Sequence, residues 1–145
     1  MTLQQTDAGY GQVRRGAARR SPEIFIPLAA RDYSPQFWGW QDQFTEDPER
    51  PGKWDRRGVR IRIGTQIVEV NMMTWPVKHD FRLRSEALRS AGAVGDILRL
   101  ERSAGAADYD YYAEIVPRQS RNFDYYLSLC TEAVRNSDKR WGYYV

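Results

Sequence analysis

Apolar and charged residues alternate most cleanly in the middle of the chain. Val59-Arg60-Ile61-Arg62-Ile63 has the two-residue period of a strand with one face buried. Gly64-Thr65-Gln66 can turn the chain into Ile67-Val68-Glu69-Val70-Asn71-Met72-Met73, which predicts a second strand. Trp75-Pro76 then interrupts, because proline has no N–H to give a ladder. Asp80-Phe81-Arg82-Leu83-Arg84 alternates again, with Phe81 and Leu83 on one face and both arginines on the other. Ser85 is a good N-cap for a short helix over Glu86–Ala91, which Gly92 can close. Val94–Glu101 reads as a turn and a strand. Tyr111–Val116 gives one more strand after a loop at Ser103–Asp108.

The flanks are less regular. Glu23-Ile24-Phe25-Ile26-Pro27-Leu28 is a short β-prone run ended by a proline. Ala29–Trp40 predicts one helical turn and then an aromatic knot of Phe37, Trp38 and Trp40. Residues 41–57 are rich in charge and turn formers, and predict a long surface loop. Phe123, Leu127, Cys130 and Val134 fall at helical spacing, which predicts an amphipathic helix over 122–135. Residues 1–12 are polar and predict a flexible tail or linker, leaving 13–145 as the domain. Five or six short strands with two or three short helices point to a mainly β, barrel-like or α+β fold.

A length of 145 residues suits one domain. The apolar share is 41%, and five Trp, nine Tyr and five Phe predict an aromatic-weighted core. No apolar run approaches the ~20 residues that span a bilayer, and the first residues lack a signal peptide's apolar stretch. Cys130 is alone, as suits a reducing compartment. The expected location is therefore the cytoplasm, with no membrane partner. The net charge of +3 hides a pattern: residues 1–22 carry +3, 23–52 carry −4, 53–84 carry +5 and 85–145 carry −1. Of 22 basic residues 19 are Arg, whose planar fork pairs bidentately with phosphate or guanine where a Lys cannot.

The residues for catalysis are scarce. His79 is the one histidine, which rules out two-histidine metal and phosphodiesterase sites, and it has no nucleophile motif nearby. No Asp…Glu-x-Lys arrangement exists to hold the Mg²⁺ of a nuclease, and Gly9, Gly11 and Gly16 form no phosphate loop. Cys130 sits on the apolar face of its predicted helix, a packing position. No catalytic residue, metal or cofactor is expected in this chain.

The basic residues suggest a grip on nucleic acid instead. Arg60 and Arg62 share one strand face, and so do Arg82 and Arg84. If these strands neighbour each other, four guanidiniums stand on one side of the sheet. Alternating arginines also serve simply to solvate an outer face, so each one alone decides nothing. Together with Arg14, Arg15, Arg19 and Arg20 and the segment 74–79, they make a shared positive surface the better account, with affinity from counterion release.

Arg20-Ser21-Pro22-Glu23-Ile24-Phe25-Ile26-Pro27, Pro35-Gln36-Phe37-Trp38-Gly39, the strand pair at 59–73, Phe81-Arg82-Leu83 and Val94-Gly95-Asp96-Ile97-Leu98-Arg99-Leu100 occur in an informative order. Over roughly residues 13–118 this order resembles the B3-like DNA-recognition domain of bacterial restriction endonucleases, which is related to plant B3 transcription-factor domains. The resemblance implies a seven-stranded open pseudobarrel that inserts two arms into the major groove of double-stranded DNA. The N-arm would be Arg14–Ser21, with Arg14, Arg15, Arg19, Arg20 and Ser21 as contacts. The C-arm would lie at about Met73–Arg82, with Thr74, Trp75, Lys78, His79, Asp80 and Arg82 as contacts. Arg60, Arg62 and Arg84 would hold phosphates. Cutting would fall to a nuclease domain or subunit of a parent restriction endonuclease. Two departures stand out: residues 1–12 make a poor first strand, and the acidic loop 41–57 has no assigned role. Two alternatives remain open. One is a modified-cytosine reader that flips a base between Phe37, Trp38, Trp40 and Trp75. The other is a protein- or small-ligand-binding domain that uses the same Trp-rich segment.

Overall fold

The computed structural model describes residues 1–8, 22–77, 81–105 and 107–144. Its elements run β1 (Glu23–Ile26), α1 (Leu28–Tyr33), α2 (Pro35–Trp38), β2 (Thr45–Glu46), β3 (Trp54–Ile63), β4 (Gln66–Thr74) and β5 (Phe81–Arg84). They continue with α3 (Glu86–Ala91), β6 (Ile97–Arg102), β7 (Tyr111–Val116), α4 (Phe123–Leu129), β8 (Glu132–Ala133) and β9 (Arg140–Trp141). A seven-stranded sheet in the order β1-β5-β4-β3-β7-β6, with β2 added against β3, curls into an open half-barrel. The expected mainly β, seven-stranded open barrel is the fold observed. The β8–β9 ribbon stands apart from it.

The predicted alternation sets the two faces. Ile63 and Gln66 pair across the tight β3–β4 turn, which Gly64 permits at φ 60°. Ile61, Met72, Phe81, Leu83 and Ile24 are fully buried on the concave side, each worth about 1.5–3 kcal/mol of apolar burial. Helices α1 and α2 plug that side. The Trp38 ring stands edge-on to Phe81 at 4.9 Å, and its indole N–H donates to the Ala30 carbonyl at 3.2 Å. A bulge between Arg56 and Val59 lets Arg56 turn inward, where it donates to the Trp38 carbonyl and the Tyr111 hydroxyl, both at 2.8 Å. Ser85 caps α3 as predicted, accepting from the Leu88 N–H at 3.2 Å.

Three expectations need correction. Residues 1–8 are no tail: Leu3 and Asp7 are fully buried. The Leu3 amide donates to the Asp96 carbonyl, Leu98 donates to Met1, and Thr2 donates to Arg140. The segment thus fills the gap beside β6 as a short strand would, the element that residues 1–12 seemed too polar to supply. The loop expected at 41–57 is partly sheet, because Thr45–Glu46 pairs with Trp54–Asp55 and β3 begins at Trp54. Within it Asp47 accepts from the Glu49 N–H, which holds its carboxyl below the usual range, and also pairs with Lys53. The helix expected over 122–135 stops at Leu129, and Glu132–Ala133 instead pairs with Arg140–Trp141. Four short helices accompany the sheet among the described residues. Among the described residues no helix is long and apolar enough to cross a membrane.

Candidate nucleic-acid interface

Register places four arginines on one surface. Arg60 lies opposite Glu69, Arg62 opposite Ile67, Arg82 opposite Met73 and Arg84 opposite Asn71. Positions 67, 69, 71 and 73 point to the same side of β4, so all four guanidinium-bearing residues share the convex face. β4 runs between β3 and β5, so Arg60 and Arg84 lie two strand spacings apart across the sheet and two residues apart along it, about 12 Å in all. Arg60 and Arg84 are exposed and have no carboxylate partner among the described residues. Arg62 lies over the Tyr109 ring at 5.7 Å and donates through Nε to the Gly64 carbonyl at 3.0 Å. Arg82 is more constrained. It sits between the Phe25 and Trp75 rings, 5.3 and 5.2 Å away, and donates to Glu23 at 3.3 Å.

Beside this row lies a shallow hollow of about 470 Å³, with Arg50, Lys53, Arg82 and Arg84 around Met73 and Trp75. Glu23 stands on its wall, and Lys53 is held by Asp47 and Asp55 at 3.5 and 3.2 Å. Among the described residues Arg50, Arg60 and Arg84 make no salt bridge, although Glu69 lies opposite Arg60 and Glu23 opposite Arg84. Trp75, half-buried, offers a ring within the hollow. Such a surface can hold phosphate oxygens at several points and stack one flat group.

The other expected contacts divide sharply. Arg14, Arg15, Arg19, Arg20 and Ser21, and Lys78, His79 and Asp80, lie outside the described residues. Thr74 is a correction. It is fully buried, and its hydroxyl accepts from Arg31 at 2.7 Å, so it cannot meet a ligand on the surface. The four rings proposed for a flipped base do not converge either. Trp38 is core. Trp40 packs on Phe44 and Trp54, and Trp75 lies on the outer face beside Arg82.

Two buried arginines were missed from sequence, and both hold backbone where an expected arm begins. Arg31 is 1% exposed. It donates to the Thr74 hydroxyl, to the Trp75 carbonyl at 2.8 Å and to the Pro76 carbonyl at 2.7 Å, while stacking over Trp40 at 4.5 Å. Arg89 donates to the carbonyls of Thr6 and Glu23, one on each side of residues 9–21. Asp7 adds to that junction. It accepts from the amides of Gln4 and Phe25 and pairs with Lys139 at 2.6 Å. Arg31 in Ala-Arg-Asp-Tyr and Arg89 in Leu-Arg-Ser read as ordinary surface residues, so no pattern in the sequence marks them. Among the described residues no three His, Cys, Asp or Glu side chains gather as metal ligands.

The fold defines a mainly β, open half-barrel with an arginine-bearing convex face. No protein-family model matches the chain, and no curated protein matches it either.

Proposed function

We propose that this chain binds double-stranded DNA through its convex face, with affinity from Arg60, Arg62, Arg82 and Arg84 and from Arg50 beside the hollow. The single observation that carries this reading is the cross-strand placement of the four arginines on one surface, where Arg60 and Arg84, although opposite Glu69 and Glu23, make no salt bridge among the described residues. Cations so arranged displace condensed counterions from a phosphate backbone. Both roots of the β4–β5 connection meet this surface, since Trp75 stacks on Arg82. Base readout falls to side chains of that connection and of residues 14–21, as the likeness to B3-like domains implies. On the same likeness, the chain serves as the target-recognition part of a restriction endonuclease, whose nuclease is another domain or subunit.

Fluorescence anisotropy with a labelled random-sequence duplex tests the first half. Four phosphate contacts predict a slope of log affinity on log salt of about −3.6, or roughly a hundredfold loss between about 50 and 200 mM salt. A slope shallower than about −1 would refute DNA binding by this face. Repeated selection from a random duplex pool tests the second half. Enrichment of one site is expected, and failure to enrich any site removes sequence specificity.

A further inference from the structure

The open seam of the half-barrel holds a second feature that DNA binding does not use. A cavity of about 450 Å³ opens between the β1–α2 side and β6, and the chain around Trp141–Tyr144 forms another wall. Ala30, Trp38, Leu98, Leu100, Trp141 and Tyr143 give it an apolar, ring-rich lining, in the size range of small-molecule pockets. Two residues on its wall carry buried donors with no acceptor among the described residues: the indole Nε1–H of Trp141 and the Nε–H of Arg99. A buried donor without a partner is costly, and natively such groups meet water or a ligand.

The neighbours of these donors narrow the chemistry. Arg99 already donates from Nη1 to Glu101 and Tyr144 and from Nη2 to Glu114. Burial opposes its charge, but the hydrogen bonds to Glu114 and Tyr144 more than offset this and hold the guanidinium firmly protonated. Two carboxylates thus neutralise it, so the cavity has no call for an anion. The Tyr143 hydroxyl donates to the Ala30 carbonyl at 3.0 Å, and the Tyr144 hydroxyl to Glu101 at 2.8 Å. What remains unmet is two N–H donors among aromatic walls. One ordered water fills a small polar void, not an apolar space of this size.

We propose that this seam cavity binds a small, flat, neutral heteroaromatic molecule bearing two hydrogen-bond acceptors, which take the N–H groups of Trp141 and Arg99. The site is independent of the convex face and of the DNA reading.

Caffeine is a suitable probe, being flat and neutral with two carbonyl acceptors; indole, with a donor and no carbonyl, is the control. In ¹H–¹⁵N spectra of the full chain, the five tryptophans give five indole resonances, and Trp141→Phe identifies one of them. Caffeine should move the Trp141 indole proton downfield in a saturable way, with a dissociation constant of about 1 mM for a fragment of its size. Trp141→Phe, followed through the backbone amides of the cavity wall in the same spectra, should weaken binding about tenfold, as for one lost hydrogen bond. Indole should bind more weakly than caffeine. Where Trp141→Phe does not fold, Leu100→Trp, which fills the cavity, should abolish the caffeine shift. The proposal fails if caffeine gives no saturable shift by roughly 20 mM, if indole binds as well as caffeine, or if folded Leu100→Trp still responds. A long-lived water bound to the Trp141 indole that caffeine does not displace would also overturn it.

Discussion

Arg31→Met tests whether a buried guanidinium holds the β4–β5 connection. Methionine keeps the length of the apolar stem and removes the fork. Four groups lose a partner: the Thr74 hydroxyl, the Trp75 and Pro76 carbonyls, and Asp32. Their costs differ. Asp32 is 57% exposed, so water replaces the guanidinium there and little is lost. Pro76 is exposed and its carbonyl can also be rehydrated. Thr74 is fully buried, but its hydroxyl lies 3.5 Å from the Trp75 carbonyl and recovers part of one bond. Charge-assisted hydrogen bonds contribute about 1.5–3 kcal/mol each, and the stack on Trp40 about 1 kcal/mol more. With one bond rehydrated and another partly recovered, the loss comes to about 3 kcal/mol. In a chain of this length that lowers the melting temperature by roughly 10 °C. Guanidinium chloride unfolding, followed by tryptophan fluorescence, should show a lower midpoint at unchanged slope. Arg31→Lys should lose nearly as much, because one ammonium cannot span the Thr74 hydroxyl and two successive carbonyls in the same geometry. A loss under about 1 kcal/mol for Arg31→Met would refute this account of how the connection is held.

Arg60→Ala combined with Arg84→Ala should reduce the magnitude of the salt slope of DNA binding by about 2, one for each lost phosphate contact. Both side chains are exposed, so the melting temperature of that double variant should stay within about 2 °C of the parent. Gly142→Ala should cost at least about 3 kcal/mol in urea unfolding, because the new Cβ would lie 1.8 Å from the Leu129 carbonyl oxygen and two backbone segments would have to part. Absorbance titration near the tyrosinate band should show late ionisation of Tyr111, Tyr143 and Tyr144. Burial raises all three, and Tyr144, also hydrogen-bonded to Glu101, is pushed up to about 12. These tyrosines keep their protons in the folded chain at a pH where the unfolded chain has lost them. Their contribution to stability is therefore complete below about pH 10 and is lost as pH rises from there to about 12. Unfolding midpoints that stay flat across that window would contradict it.

How much was legible depended on whether a segment folds against itself or against something distant. In β3 the alternation of Val59, Ile61 and Ile63 with Arg60 and Arg62 is a local property, and the strand and its faces follow from it. Leu3 shows the opposite case. One apolar residue in a polar run predicts a tail, yet it is fully buried because its neighbours pair with Asp96, Leu98 and Arg140, far away in sequence. The closing helix failed for a related reason. Phe123, Leu127, Cys130 and Val134 keep helical spacing, but none of the residues within α4 is buried, so no packed face extends the helix past Leu129. Gly142 crosses against the Leu129 carbonyl, and Glu132–Ala133 gains partners in β9 instead. At the candidate interface, Arg60, Arg62, Arg82 and Arg84 could be assigned to faces from periodicity. That β4 would carry both pairs onto one surface depended on strand order, which the pattern does not state.

Counting charge along the chain overstates what the surface presents. Residues 53–84 carry +5, yet Arg56 turns inward to the Trp38 carbonyl and Tyr111, Lys53 answers Asp47 and Asp55, and Arg82 answers Glu23. The same residue type performs two opposed tasks here. Arg31, Arg56 and Arg89 spend their forks on backbone carbonyls, where several fixed donors on one planar group tie distant turns together. Arg60 and Arg84 keep theirs for solvent or a ligand. The inward arginines are satisfied largely by carbonyls, whereas Arg60 and Arg84 stand exposed on the convex face without a salt bridge among the described residues. An Arg-to-Lys exchange should therefore separate the two groups. At Arg60 or Arg84 it keeps the charge and most of a phosphate contact, whereas at Arg31 or Arg89 it loses the geometry that holds the connections at either side of that face.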